Sequence, residues 1–115
     1  MTERQTCTWT GSSGRKYVYD VYPRHPKMTQ QAGNFIYAKM DERNRWVPVY
    51  IGQGDLTQRA TIEQDRVACI DANGATHVHL HVNFDKEQRL AEERDLLRNF
   101  PQAVIPGGCN EGPAG

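Results

Sequence analysis

Four runs of β-forming residues, at 16–22, 34–40, 46–52 and 76–82, commit this chain to a fold built on a sheet. The first puts Tyr17, Tyr19 and Val21 on one side and Val18, Asp20 and Tyr22 on the other, the two-residue period of a strand. Pro23 and Pro26 end it. The second and third runs flank a polar stretch at 41–45 that reads as a hairpin turn. Pro48 lies inside the third run and has no N–H for a ladder, so that run belongs at a sheet edge or a bulge, or its strand proper starts at Val49. The fourth alternates strictly, with His77, His79 and His81 on one side and Val78, Leu80 and Val82 on the other.

Helical patterning fills the intervals. Asp55 and Gln58 have capping-box spacing, which predicts a helix starting near 55. The apolar period through 61–71 is imperfect and predicts one irregular helix or two short ones. Asn73-Gly74 marks a turn. Asp85 and Gln88 repeat the cap spacing and open a helix over 86–99, with Leu90, Leu96, Leu97 and Phe100 as its apolar side and Pro101 as its stop. The order β, β–β hairpin, α, β, α predicts an α+β domain: a small antiparallel or mixed sheet with flanking helices.

At 115 residues and 37% hydrophobic composition there is room for one modest core. Residues 1–15, polar and containing Gly11-Ser12-Ser13-Gly14, predict a flexible N-terminal segment; 16–110 form the domain and 111–115 a frayed tail. No apolar run approaches the roughly 18 residues of a membrane span, and no apolar leader opens the sequence, so the expectation is a cytoplasmic protein. Cys7, Cys69 and Cys109, odd in number and far apart, read as free thiols. Lys plus Arg and Asp plus Glu both number 14, for a net charge of zero. That balance argues against avid nonspecific nucleic-acid binding. Arg24, His25 and Lys27 form a local basic cluster, whose plain reading is a solvated loop.

Gly33-Asn34-Phe35-Ile36-Tyr37 on one strand, Tyr50-Ile51-Gly52 on the next, then Leu56 and Arg59, form a combination that resembles the core of the GIY-YIG nuclease superfamily. Downstream, Glu93-Arg94-Asp95-Leu96-Leu97 followed by Pro101 and Asn110 extends the resemblance across residues 33–110. It implies a metal-dependent endonuclease acting on DNA, with Mg²⁺ or Mn²⁺ on Glu93 and Arg59 on the phosphate. Tyr50 would handle protons, with Tyr37 as a substitute partner. Gly52 and Gln53 would meet substrate, and Asn110 would position a group or cap the site. The chemistry suits the residue types. A carboxylate on a rigid helix, plus waters, suits Mg²⁺; a guanidinium is a bidentate fork for phosphate; a tyrosine can relay a proton if nearby cations lower its pKa. Phe35 stands where the resemblance expects tyrosine. A domain this small, without a separate recognition module, implies a structure-selective or partner-directed role. The alternative is a catalytically inactive relative that binds nucleic acid or protein.

The histidine strand offers a different reading. His-x-His on a strand is a zinc geometry, and Cys69, Cys109 or Asp71 could complete a site with His77, His79 and His81. Against it, Val78, Leu80 and Val82 would face the core and leave the histidines to solvent or a helix edge.

Overall fold

The computed structural model describes residues 5–24, 31–56 and 66–111. Five strands form one sheet: β1 (Thr6–Thr10), β2 (Lys16–Pro23), β3 (Ala32–Met40), β4 (Trp46–Asp55) and β5 (His77–Val82). Their order across the sheet is β1-β2-β5-β3-β4, and every pairing is antiparallel. Among the described residues, the α-helices α1 (Val67–Ala72) and α2 (Lys86–Asn99) and a 3-10 turn at Pro101–Ala103 accompany the sheet. The expected α+β class and helix-flanked antiparallel sheet are present.

Both faces of the sheet are covered, which explains why its interior strand β3 is buried from Gly33 to Ala38. On one face Phe35, Tyr37, Val49, Val78 and Leu80 pack with Leu56, Ile70 of α1, and Cys109. On the other, Trp9, Tyr19, Ile36 and Ile51 pack with Leu96 and Leu97 of α2 and with Ala103. The alternation in β2 is as expected: Tyr19 and Val21 are buried and Val18 is exposed. The cap on α2 is also as expected, Asp85 accepting from the Gln88 N–H at 3.1 Å. Pro48 lies on the edge strand β4, and the β3–β4 register shifts beside its partner Ala38.

Three expectations need correction. The stretch read as a flexible N-terminal segment contains β1. Its Gly/Ser turn is fixed because Asp95 of α2 gathers its donors: Ser13 N–H at 2.8 Å, Ser13 hydroxyl at 2.7 Å and Tyr17 hydroxyl at 2.8 Å. Gly11 is required there, since a Cβ would stand 2.0 Å from the Asp95 carboxylate. Second, β4 does not stop at residue 52: it runs on to Asp55, paired with Ala32, so the hairpin is longer than the sequence period indicates. The helix predicted from 55 falls mostly in 57–65, outside the described residues. Third, Cys69 and Cys109 are not free thiols. The fold brings their Cα atoms to 5.9 Å and they form a disulfide, leaving Cys7 as the free cysteine among the described residues.

Candidate functional site

The hairpin β3–β4 sets the two signature segments side by side. Tyr37 is directly opposite Tyr50, and Phe35 is opposite Gly52. Partners in register share a face, so Phe35, Tyr37 and Tyr50 cluster on the α1 side, the Phe35 ring 6.1 Å from each tyrosine ring. Gly52 has no alternative there: a Cβ would meet the Phe35 ring at 2.6 Å. The aromatic at the first signature position therefore packs down on the glycine of the second, and Phe35 is fully buried.

Each tyrosine has an arginine. The Arg24 guanidinium lies 5.4 Å from the centre of the Tyr37 ring and pairs with Asp71 at the end of α1. Arg66 hydrogen-bonds the Tyr50 hydroxyl and pairs with Glu111. Arg59, the expected phosphate ligand, lies outside the described residues, as do His25 and Lys27 of the basic cluster.

Asn110 bonds the backbone of β4. Its side-chain oxygen accepts from Ile51 N–H at 2.9 Å and its amide donates to Ile51 C=O at 2.8 Å. The neighbouring Cys109 N–H donates to Val49 C=O at 2.9 Å. The segment thus clasps the outer edge of β4 and holds the Tyr50 strand in place.

Glu93 and Gln53 belong to the opposite face. Gln53 is opposite Asn34, whose amide donates to the Arg89 carbonyl of α2 at 2.9 Å, and Gln53 itself accepts from the Arg89 guanidinium at 3.1 Å. Glu93 is one turn further along that side of the helix. It is half-buried, and burial raises its carboxyl above the ordinary range, with Arg94 opposing. The structure therefore brings Tyr37, Tyr50 and Gly52 together on one side of the edge strand β4, and Gln53 and Glu93 on the other.

Glu93 fits a hard cation. A partly desolvated carboxylate gains from positive charge, and one carboxylate with waters in the remaining positions suits Mg²⁺ or Mn²⁺ better than Zn²⁺. Among the described residues, no three His, Cys, Asp or Glu side chains group as a metal site. The zinc partners named for the histidine strand are committed elsewhere: Cys69 and Cys109 to each other, Asp71 to Arg24. The histidines themselves face α2 rather than solvent. His79 is fully buried, with Trp46 edge-on at 4.7 Å between centroids.

The sequence reading passed over Glu92. This carboxylate is 3% exposed. It accepts from the Tyr19 hydroxyl of β2, and His81 Nδ1 of β5 lies 2.9 and 3.0 Å from its two oxygens. The hydrogen bond that His81 donates to Glu92 raises its pKa above the ordinary imidazole range despite its burial. Burial, then the Glu92 charge, holds the Tyr19 phenol well above its ordinary range, so it stays a donor. Glu92 is spaced with Arg89 and Leu96 on one helical stripe, and all three are buried.

No protein-family model, curated protein or solved structure matches this chain.

Proposed function

We propose that the chain is a metal-dependent phosphodiesterase acting on DNA, of GIY-YIG type. One observation carries the reading: Tyr37 and Tyr50 face each other across the β3–β4 hairpin, each accompanied by an arginine. Paired phenols beside guanidiniums suit a reaction in which a water must lose a proton next to a phosphate. Tyr50 takes the proton-handling role, with Tyr37 oriented beside it under Arg24. Arg59 supplies the fork for phosphate oxygens. Gly52, with no side chain, allows a close approach to the strand, while Asn110 fixes that strand by its two bonds to Ile51. Glu93 is the residue that would hold Mg²⁺ or Mn²⁺, which when bound supplies Lewis acidity and stabilises the leaving oxygen. DNA, reached through a targeting partner, is the substrate class of this reading, with a cytoplasmic location.

A second reading is a DNA- or protein-binding module of the same fold without catalysis. It is favoured by Phe35, a side chain that moves no proton, and by the placement of Glu93 across β4 from the tyrosines.

The deciding experiment incubates the full chain with branched, single-stranded and duplex DNA in Mg²⁺ or Mn²⁺. Cleavage abolished in both Glu93→Ala and Arg59→Ala supports the first reading. DNA binding without cleavage in the wild type sinks it in favour of the second.

Among the described residues no helix is long and apolar enough to cross a membrane. The disulfide sets a condition on the cytoplasmic part of the reading, since reducing compartments keep most thiols reduced. Alkylation of the protein in intact cells, followed by mass spectrometry, tests it: a 69–109 link found intact there is compatible, and a fully alkylated pair shows that the link does not persist.

A further inference from the structure

A cleft of about 380 Å³ opens between α2 and the β2–β5 pair, away from the tyrosine face. It is lined by Arg15, Tyr17, His81, Asn83, Gln88 and Glu92. Its floor is the Tyr19–Glu92–His81 network. Because His81 uses Nδ1 on Glu92, the tautomer and ring orientation are fixed, and Nε2 is the nitrogen left for the cleft.

The acids around this cleft are already engaged with donors. Glu92 accepts from Tyr19 and His81. Asp95, one turn along α2, accepts from Ser13 and Tyr17. The cations are not: among the described residues, neither the Arg15 guanidinium nor His81 Nε2 has a hydrogen-bond partner. Gln88 accepts from the Asn83 amide through its oxygen, which leaves its NH₂ as a further donor. The lining is thus rich in donors: the Arg15 guanidinium carries charge, and the Glu92 carboxylate favours the protonated form of His81.

We propose that this cleft is a phosphate-binding site, with the Arg15 guanidinium and the His81 Nε2–H as its charged donors. A tetrahedral oxyanion matches such a set: the planar guanidinium takes two oxygens and the imidazolium a third. The site does not depend on the nuclease reading, because it lies on the α2 side of the sheet and uses none of the signature residues. The phosphate is either a terminal monoester or a backbone diester.

The groups that set its pH dependence come from each neighbouring element. Arg15, Tyr17, Tyr19 and Asp20 belong to β2 and the turn before it, and Glu92 and Asp95 belong to α2. Tyr17, pushed up to about 12 by burial and then by Asp95, stays protonated throughout. For a diester, whose charge is constant in this range, binding weakens as pH rises through the raised pKa of His81; a monoester also gains charge on losing its second proton, at about pH 6, which offsets part of that loss.

The test is NMR of the full chain labelled in its histidine rings, titrated with inorganic phosphate at about pH 6, with KCl at matched ionic strength as control. The expected result is a saturable shift of the His81 resonance with phosphate and none with KCl. Arg15→Ala weakens binding about tenfold, as loss of one charge-assisted hydrogen bond implies. Arg15 is exposed, so that variant leaves the fold intact, which circular dichroism verifies. Two oligonucleotides of one sequence, with and without a 5′ phosphate, separate the sources: a shift needing the 5′ phosphate assigns the monoester, and equal shifts assign the diester. No saturable His81 shift, the same shift in KCl, or unchanged affinity in Arg15→Ala overturns the proposal.

Discussion

Trp9 donates its indole N–H to Nδ1 of His79 at 2.9 Å, in a fully buried bond that links β1 to β5 across β2. The imidazole must be neutral to accept it. Burial, then the charge of His77, lowers His79 to about 4.

This neutral imidazole makes stability pH-dependent in a defined direction. Below about pH 6.5 the unfolded chain binds a proton that the native His79 refuses, so stability falls as pH drops from 6.5 to about 4. The full contribution is roughly 3 kcal/mol. His81 has the opposite sign: its raised pKa gives stability that is present below 6.5 and lost as pH rises through the folded value. The two together predict greatest stability near pH 6.5. Urea denaturation from pH 4 to 8 checks this, and in His79→Gln the acid-side loss should shrink.

Glu92 and Glu93 are adjacent, yet should respond in opposite ways. Glu92→Gln disturbs a buried carboxylate that orients Tyr19 and His81, and should cost about 2–4 kcal/mol. Glu93 is held above its ordinary pKa by burial, so its charge opposes folding at neutral pH. Glu93→Gln should raise the melting temperature while abolishing any metal-dependent cleavage. Calorimetry of both variants beside the nuclease assay decides it; a destabilised Glu93→Gln would assign that residue to the fold instead.

The disulfide joins α1 to the C-terminal clasp across 40 residues. A loop of that length contributes up to about 4 kcal/mol by restricting the unfolded chain. Oxidised protein, unfolded and thiol-titrated, should show one reactive thiol, Cys7, and three after reduction. Melting with and without reductant measures the stabilisation.

Asn110 should behave as a structural residue. Replacement by Ala leaves the N–H and C=O of Ile51 without their partners, at about 1–3 kcal/mol for each group that stays buried. Asn110→Asp keeps the acceptor and loses the donor, so it should cost less than Ala in hydrogen bonding but add a charge. Where the variants are still folded, cleavage should persist, with only the denaturation midpoint moved.

How far the sequence revealed the fold follows the periodicity. Strand β2 and helix α2 were legible because alternation, caps and a closing proline agree, as at Asp85 and Pro101. Pro48 announced its edge position by lacking an N–H. β1 was hidden because Thr6–Thr10 precedes a Gly/Ser turn, and only Asp95, far along the chain, holds that turn. The histidine strand was legible in part for a similar reason: a period of two shows that the imidazoles share a face, but not that Trp9, Trp46 and Glu92 meet them there. In the candidate site, the pairing of β3 with β4 was readable from the hairpin, but the facing of Tyr37 and Tyr50 was not, since it depends on the register shift between Tyr37 and Ala38 that skips Val49. Glu92 was not, because its burial depends on Tyr19 and His81 arriving from two other strands.

The docking of the β1–β2 turn on α2 also orders events during synthesis. Ser13 waits for Asp95, 82 residues later, Trp9 waits for His79, 70 residues later, and Thr10 C=O waits for the Asn99 amide, 89 residues later. Of the described strands, the earliest to leave the ribosome is thus among the last to find its full set of partners. Until α2 emerges, a nascent chain displays Trp9, Tyr17 and Tyr19 uncovered. That interval, rather than the finished protein, is when this chain most needs a chaperone.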